Sequence, residues 1–554
     1  MYLRTITSRP RKDGSRVRYL QLAHNEWDPE AGQSRAKVIH SFGREDQVDR
    51  DALARLVRSI SRVLEPEQQL AAQAGEELSF VGSAPLGGAW VLDGVWRQLG
   101  IDETLRGLLA ERRIDVRAER LVLAMIANRA LAASSKRACA GWVDADVVIP
   151  GLGGLGDDPQ PLYRAMDWLL EVEADLAEAV YWATADLLNL EVDLLFFDTT
   201  STYFETENAD EPAPGATVGF RTWGKSKDHR SDLPQVVIGM AVTRGGIPVR
   251  VWCWPGNTND SALIRQVKDD LRAWKLTRVV WVGDRGFTSA ENRRYLQRAG
   301  GHYILGEKLR GGTPEADAAL SRQGRYQTVA DNLQVKEVVI DDATMRDRFV
   351  ICRNPEAAER DRIIRDQLVD QLTERIDGSD RLTAQKRTAL AAGLPAGLRR
   401  FLRTTPAGKL RVDRAAVAAE QRLDGKFLLR TSDPSLSAED VALGYKQLLE
   451  VERGWRDMKS TLDLRPIYHR LEDPIRAHVL LCWLALLLIR ITETRTGDTW
   501  ANARRELQRL HLGTFTGPAG TVRQRTETTH AQRAIFGALG IDEPPKFFDI
   551  TPSA

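Results

Sequence analysis

The sequence predicts an α/β fold built around a mixed β-sheet, and three observations lead to that prediction. From residue 192 onward, short apolar segments that suit strands alternate with amphipathic helical patterns. Two of these segments, VDLLFFD and TRVVWVGD, are nearly continuous apolar runs that end in an aspartate, as expected of strands buried on both faces. Residues 306–424 then interrupt the alternation before a further strand, GKFLLRTS. We therefore expect an α/β domain that carries an insertion.

Residues 1–190 precede this pattern and form a region of their own. The first fifty residues hold short runs of alternating polarity separated by basic, turn-like stretches, which predicts an antiparallel meander. Helical patterns follow at about 51–64, 89–108, 117–137 and 160–190. The third pattern carries five basic residues beside an apolar face: Arg117, Arg120, Arg129, Lys136 and Arg137. A helical bundle with a solvated basic face and a DNA-binding module both fit it, and we expect residues 1–190 to be a DNA-binding region.

Residues 191–305 are expected to form the first part of the α/β domain. Their first apolar strand is followed by the strands QVVIGMAVT and IPVRVWCW and by the helix SALIRQVKDDLRAW. The second acid-terminated strand, the helix ENRRYLQRAG and the strand HYILGE come next. The insertion, residues 306–424, holds a predicted hairpin, LQVKEVVIDD with DRFVICRNP, and charged helices from 355 to 403.

Residues 425–510 are expected to complete the domain. The strand GKFLLRTS leads through the capping signal SLSAED into one long helix, predicted at about 437–460. A very apolar helix at about 473–495 and a short charged helix around 499–510 follow. Residues 511–554 form a C-terminal tail with no functional signal.

The bulk properties exclude several classes of protein. Four widely separated cysteines give neither a disulfide scaffold nor a zinc-ligand spacing, so we expect a reduced, cytoplasmic chain. The N-terminus has no apolar core typical of a signal peptide, and the longest apolar run, Ala477 to Ile489, is too short to span a bilayer. The formal net charge is +1, so any polyanionic partner must be attracted by local basic patches.

Three acids stand out as candidates for chemistry. Asp198 and Asp284 end the two apolar strands, where ligands often bind in open α/β sheets, although a single aspartate there is more often a cap or turn former. In GYKQLLEVERGWRDMKS, the residues Tyr445, Leu448, Glu452 and Lys459 share one helix face by their spacing. A stripe that includes an acid and a lysine is unsuited to a core and indicates a face opposed to an anion or a metal ion.

At this point the sequence resembles a known family. Tyr445, Glu452 and Lys459 fit the Y-x2-R-x3-E-x6-K signature of DDE-class bacterial insertion-sequence transposases, in the branch with an insertion between the second and third acids. The segments FDTTSTYF, GKSKDHRSDLPQVVIGM, PGNTNDS, GDRGF and RPIYHRLEDPIRAHV also look like blocks of this group, over roughly residues 190–305 and 425–495. One position departs from the signature: its arginine is Leu448, so we expect a phosphate contact to be lost there.

The resemblance implies an RNase H-like catalytic domain and a triad of Asp198, Asp284 and Glu452 around two Mg²⁺ ions, with Mn²⁺ as a possible substitute. It also implies cut-and-paste DNA transposition, with double-stranded DNA, terminal inverted repeats and target DNA as partners and two protomers in the DNA complex. The physical chemistry agrees, because clustered carboxylates repel one another unless cations neutralise them, and all-oxygen ligands suit these ions. A nuclease without strand joining and a non-catalytic DNA-binding descendant remain as alternatives.

Other residues near the motif are assigned by their position. The rival acids are expected to point away or to play a supporting part: Glu450, Asp457, Asp193, Asp228 and Asp260. The residues expected to contact DNA are Tyr445, Arg456, Lys459, Lys225, Lys227, Arg230 and Arg285, with a solvated loop as the alternative for residues 225–230. Trp455, His469 and His478 are expected to be structural.

Overall fold

The computed structural model describes the chain outside residues 9–15, 29–31, 65–77, 113, 115–116, 157, 189–193, 216, 273, 275–278, 342–345, 518–519 and 553–554. The chain forms two compact units. The smaller unit comprises Met1–Ser83, Leu512–Glu527 and Pro544–Ala554. The larger unit comprises Ala84–His511 and Thr528–Glu543.

The smaller unit contains the predicted antiparallel meander. Its strands β1 (Tyr2–Thr7), β2 (Arg18–Asp28) and β3 (Gln33–Arg44) pair in that order, and the helix α1 (Arg50–Leu64) follows them. A second sheet has the order β18-β17-β16-β4 and is built from β4 (Ser79–Pro85), β16 (His511–Gly517), β17 (Gly520–Arg525) and β18 (Phe547–Pro552). The C-terminal segment was expected to be a plain tail, and it instead supplies three strands of this sheet.

The larger unit begins with a bundle of helices. They are α2 (Gly87–Gln98), α3 (Ile101–Arg112), α4 (Arg117–Ala132), α5 (Lys136–Ala145), α6 (Gln160–Glu171) and α7 (Glu173–Leu187). Three predicted helices are therefore each divided in two. The first division has a local cause, because Gly100 adopts a positive φ of 60° that ends α2. The division before α5 is marked by Ser135, whose side chain accepts a hydrogen bond from the backbone N–H of Ala138.

The central sheet of the larger unit, as formed by the described residues, has the order β10-β11-β12-β15-β9-β8-β5-β6-β7. Its first strands are β5 (Leu194–Tyr203), β6 (Gln235–Thr243), β7 (Pro248–Pro255), β8 (Val280–Gly283) and β9 (His302–Glu307). The strands β5, β6 and β7 pair antiparallel, whereas β8 runs parallel to both β5 and β9. The mixed α/β sheet predicted from the sequence is thus present.

The sheet continues through the region predicted as an insertion. The strand β15 (Lys426–Thr431) pairs antiparallel with β9, so the strands HYILGE and GKFLLRTS belong to one sheet, as predicted. The predicted hairpin is also present and extends this sheet as β11 (Leu333–Asp341) and β12 (Arg346–Arg353), with β10 (Gln327–Ala330) beyond it. The region therefore adds strands to the sheet that it interrupts.

The remaining elements of this region are short or charged. The helices are α10 (Pro314–Ser321), α11 (Pro355–Ile376), α12 (Ala384–Gly393), α13 (Ala396–Arg399) and α14 (Arg414–Gln421), which follow α8 (Asp260–Arg272) and α9 (Ala290–Leu296) of the first part. A separate small ribbon pairs β13 (Leu402–Thr404) with β14 (Leu410–Val412).

The long helix predicted at about 437–460 is two helices, α15 (Ala438–Lys446) and α16 (Leu449–Ser460). The capping signal before it is confirmed, because Ser437 and Asp440 form a reciprocal capping box. Between the helices the backbone tightens: the N–H of Leu448 donates to the carbonyl of Tyr445 at 3.0 Å, three residues back. Tyr445 and Glu452 therefore lie on different helices, and the prediction that they share one helix face is wrong.

The apolar helix α17 (Glu472–Thr496) is buried, as predicted, and packs on α4, α6 and β7. Among the described residues it is the one helix long and apolar enough to cross a membrane, and 94% of its most apolar window is buried inside the protein. The helices α18 (Trp500–Leu507) and α19 (His530–Leu539) complete the unit.

Candidate active site

Asp198 and Asp284 are brought together by the parallel pairing of β5 with β8. Phe197 lies opposite Gly283 in the register, and each acid is the residue that directly follows one member of this pair. Asp198 does not end its strand, contrary to the sequence prediction, because the residues TTSTY continue β5 and keep pairing with β6. Asp284 does follow the last residue of β8, and its Oδ1 accepts a hydrogen bond from Gly286 N at 2.6 Å. The two carboxylates thus stand where the parallel pairing stops.

The pKa of Asp198 is affected by burial and by the charged groups near it. Burial is the largest cause that raises the pKa of this carboxyl, to about 6, and the negative charges of Asp284 and Asp260 contribute in the same direction. The ammonium group of Lys227 and the backbone N–H of Thr199 act in the opposite direction. Asp198 therefore lies within the field of two further acids and one cation.

Asp260 is a site residue that the sequence reasoning treated as a minor loop acid. It is the first residue of α8, and its Oδ1 accepts a hydrogen bond from Thr199 Oγ1 at 2.6 Å. Lys227 Nζ lies 3.3 Å from Asp260 Oδ2 and 3.7 Å from Asp198 Oδ1. The signal that could have found it is the PGNTNDS block, which places an acid directly at the start of the helix.

Glu452 is positioned by the packing of α16 on the sheet. This helix buries Val451, Gly454 and Met458 and leaves Glu452 exposed. A Cβ on Gly454 would lie 2.6 Å from Met240 Cε, and Met240 is the cross-strand partner of Asp198. The glycine therefore allows the helix to lie directly over the strand next to Asp198.

The pKa of Tyr445 is affected by all three acids of the predicted triad. Its hydroxyl lies so close to Gly306 of β9 that a Cβ there would collide with it. Burial raises the pKa of the Tyr445 phenol to about 12, and the charges of Asp284, Asp198 and Glu452 act in the same direction. All three carboxylates thus act on one side chain, although Tyr445 and Glu452 belong to different helices.

The residues present suit a hard divalent cation in their chemistry, since the acids supply oxygen ligands. Within the described parts of the chain, no three His, Cys, Asp or Glu side chains stand close enough together to form a group ready for a metal ion. At Asp198, the Lys227 ammonium lies 3.7 Å from this acid and 3.3 Å from Asp260. The donor set fits a hard divalent cation in its chemistry.

The rival acids have partners of their own. Glu450 lies against the turn at Gly246, and Asp457 forms an ion pair with the buried Arg490. Asp228 pairs with Lys459 at 2.9 Å and with Arg465 at 2.8 Å. Asp193 lies outside the described residues. Glu450 and Asp457 thus have contacts of their own outside the predicted triad, whereas Asp228 pairs with Lys459.

Apart from Tyr445, which contacts β9 at Gly306, the residues predicted to contact DNA fall into two groups. Lys459, Lys227 and Arg230 already have partners within the protein. Lys459 pairs with Asp228 and donates to Thr200 Oγ1 at 2.7 Å, Lys227 donates to the carbonyl oxygen of Thr199, and Arg230 pairs with Asp232. Lys225, Arg285 and Arg456 are exposed. Trp455 and His478 are buried and His469 packs edge-on against Tyr163, which agrees with their expected structural roles.

Comparisons with known proteins add independent information. A family profile described as "Transposase DDE domain" matches residues 196–488, and one described as "IS1634 family transposase, N-terminal domain" matches residues 3–71. No curated protein gives a significant match. A solved structure of the piggyBac transposase synaptic complex with hairpin DNA aligns with 10% identity and a TM-score of 0.35, over 76% of this chain and 78% of that one.

Proposed function

The chain belongs to the DDE transposase family, and from this premise we propose that it cleaves DNA at the ends of a mobile element and joins those ends to target DNA. The catalytic residues in this proposal are Asp198, Asp284 and Glu452. One observation carries it: the register of β5 with β8 places Asp198 beside Asp284, and Gly454 lets the helix of Glu452 lie against Met240, the strand partner of Asp198. Their distribution over two adjacent strands and a covering helix supports a single reaction centre.

We also propose that the catalytic domain is RNase H-like. The order and directions of β7-β6-β5-β8-β9 support this assignment, with three antiparallel strands followed by two parallel ones. In such a sheet the acids of neighbouring strands meet where the parallel pairing ends, which is the position of Asp198 and Asp284.

Asp198, Asp284 and Glu452 would hold two Mg²⁺ or Mn²⁺ ions. When bound, the ions would supply charge neutralisation and activation of a water or a DNA 3′-hydroxyl for in-line displacement at phosphorus. The chain's own residues prepare the site. Lys227 neutralises the acids in the absence of metal, and Asp228 orients Lys459 through an ion pair of 2.9 Å. Asp260 adds a fourth carboxylate beside Asp198.

DNA would be held by cations around this centre. Arg456 extends from the helix that carries Glu452, and Arg285 directly follows Asp284; both are exposed and suited to phosphate contacts. Lys225 lies in the neighbouring loop with Trp223, which is 49% exposed. In our proposal, residues 1–190 contribute DNA binding and two protomers bridge two ends of the element.

The experiment that tests this proposal uses labelled duplexes that carry the terminal repeats of the element, with and without Mg²⁺. We expect cleaved ends and joined products that require both the repeats and the ion. Cleavage without any joining would show that the protein acts as a nuclease and not as a strand-joining transposase. Binding without cleavage in either Mg²⁺ or Mn²⁺ would indicate a non-catalytic protein and overturn the proposal.

A further inference from the structure

A polar cavity in the larger unit is bordered by α4, by the start of α5 and by the loop that follows α16. Its volume is about 500 Å³, within the range of roughly 300–1,000 Å³ that small-molecule sites occupy. Arg129 and Lys136 line it together with Tyr163, Tyr468 and His469. Tyr468 is 74% exposed, whereas the two cations are almost completely buried. The cavity thus combines a basic interior with an accessible aromatic side.

Lys136 is the most unusual residue of the cavity. It is 5% exposed, and it forms no hydrogen bond or ion pair with any residue that the structure describes. Burial is the largest cause that lowers the pKa of its ammonium group, to about 8, and the charge of Arg129 contributes in the same direction. An unpaired buried ammonium is destabilising, and a methionine of similar length would remove that penalty. Such a group therefore needs a reason outside the stability of the fold.

Arg129 does not relieve the excess of positive charge. Its guanidinium donates to the carbonyl oxygens of Leu462 and Asp463 at 3.3 Å and of Ser134, all of them neutral acceptors. The carboxylate of Asp463 also borders the cavity but is exposed, and within the described residues it forms no ion pair with Arg129 or Lys136. Two cations consequently share the cavity without a bound carboxylate.

The start of α5 adds to this potential. The helix begins at Lys136, after the capping residue Ser135, which accepts a hydrogen bond from Ala138 N–H. The backbone N–H groups of Lys136 and Arg137 lie at the same end as the lysine. Both residues border the cavity. A helix N-terminus, a lysine that pairs with none of the described residues and an arginine that donates to neutral oxygens together form an anion-binding arrangement.

We propose that this cavity binds a phosphate group through Lys136 and Arg129. A phosphate offers several acceptor oxygens for the two cations and the N–H groups of α5. The volume exceeds what a phosphate alone needs, and the exposed ring of Tyr468 can stack on a base or pack on a sugar. The phosphate belongs either to a DNA strand, which rests on the proposed function, or to a free phosphate or mononucleotide, which does not.

The first arm of the test uses inorganic phosphate and a mononucleotide at pH 7, with ionic strength matched by chloride. We expect both to raise the melting temperature of the full chain. In Lys136→Met the affinity should fall by about tenfold to a hundredfold, the loss of one charge-assisted hydrogen bond. Arg137→Met is the matched control, because Arg137 is the next residue of the same helix, is exposed and does not line the cavity.

The second arm measures DNA binding over a range of salt concentrations, without metal. If a DNA phosphate enters the cavity, the slope of log K against log salt should fall by about 0.9 in Lys136→Met. A change in this slope alone identifies DNA as the source, and a response to free phosphate alone identifies the small molecule. The proposal is overturned if Lys136→Met changes neither quantity, or if Arg137→Met reduces phosphate binding as much. Because no cleavage is measured, failure here is distinct from failure of the proposed function.

Discussion

At the scale of single residues, Lys227 determines how the acids coexist without metal. Its ammonium lies 3.7 Å from Asp198 and 3.3 Å from Asp260, and it also donates to the carbonyl oxygen of Thr199 at 2.7 Å. Like charges at this spacing repel unless a cation separates them. From the sequence, Lys227 lies in a basic loop and was predicted to contact DNA. Only the fold shows that this loop lies beside Asp198 and Asp260.

We expect Lys227→Met to reveal a competition between the lysine and divalent ions. Without the ammonium, the repulsion between Asp198 and Asp260 should lower the melting temperature in a chelator. The added stabilisation by Mg²⁺ or Mn²⁺ should be larger than in the unchanged protein, because the ion no longer displaces a bound cation. Thermal melting with and without metal measures both effects.

The control for this variant is Lys225→Met, which removes an exposed lysine from the same loop. It should melt like the unchanged protein in both conditions. A metal-dependent stabilisation that is unchanged or smaller in Lys227→Met would contradict the role given to Lys227.

Lys136 gives a prediction for the dependence of stability on pH. In the folded protein its pKa is about 8, below the ordinary value of 10.5, so the unfolded chain binds more protons between these values. The free energy of unfolding should therefore rise as the pH increases from about 8 to about 10.5, by at most about 3 kcal/mol from this residue. Neighbouring Arg129, His469, Cys139 and Cys482 remain in the variant, so the difference between the unchanged protein and Lys136→Met isolates the lysine.

Denaturant unfolding at several pH values measures that difference. The curves should converge toward pH 10.5 and separate below pH 8, with Lys136→Met the more stable protein at neutral pH. A constant offset across the range would show that Lys136 titrates normally and that its burial has no electrostatic cost.

At the scale of elements, local patterns located helices and strands but did not reveal where they break or continue. The division between α15 and α16 occurs in KQLLE, whose residues all have good helix propensity, so nothing local predicts it. The continuation of β5 past Asp198 was missed because a TTS sequence also suits a turn, although threonine and tyrosine favour strands. The pairing of β16 with β17 is local and was nonetheless missed, whereas the pairing of β16 with β4 joins segments that are distant in sequence.

Leu448 shows how the break changes the interpretation of a motif position. The signature has an arginine there, and on one continuous helix face that arginine could have reached DNA. In the structure Leu448 is half-buried and packs against the main hydrophobic core. We therefore expect Leu448→Arg to lower the free energy of unfolding by about 1–3 kcal/mol, because a charge replaces packed apolar surface.

Leu449→Arg is the matched control, because Leu449 is the next residue and is 63% exposed. It should change stability little, and chemical denaturation of both variants provides the comparison. A stable Leu448→Arg protein that binds DNA more tightly than the unchanged chain would contradict the packing role of Leu448. It would instead support the phosphate contact predicted from the signature.

At the scale of the whole molecule, the order of the motifs along the chain was enough to identify the family. FDTTSTYF, GDRGF and the E-x6-K helix keep their order although the third is far from the second, and the family matches agree. The order of the motifs does not predict which side chains lie next to the acids in the folded protein. Asp260, the bridging Lys227 and the buried Lys136 became visible only when the helices and strands were packed together.

The net charge of +1 gives almost no overall excess of positive charge, and several cations instead have defined local roles. Lys459 and Arg465 hold Asp228, Lys227 separates two acids, and Lys136 with Arg129 lines a cavity. In our proposal, DNA binding close to the acids then depends on the remaining exposed cations there, Arg285 and Arg456. Removing a triad carboxylate should leave that attraction intact.

The most direct test of the central claim separates cleavage from folding and binding in Asp198→Asn, Asp284→Asn and Glu452→Gln. Glu450→Gln is the control, since Glu450 lies on the same helix as Glu452 but against the turn at Gly246. Asp457 is less suitable, because it neutralises the buried Arg490. Each protein is assayed for melting temperature, binding to the terminal repeats and Mg²⁺-dependent cleavage.

We expect all three triad variants to fold and to bind DNA at least as tightly as the unchanged protein, because each loses a negative charge from a crowded site. Their cleavage should fall to the level of a reaction without protein, while Glu450→Gln continues to cut. Cleavage near the unchanged rate in any one of Asp198→Asn, Asp284→Asn or Glu452→Gln would contradict the account and remove that residue from the catalytic site.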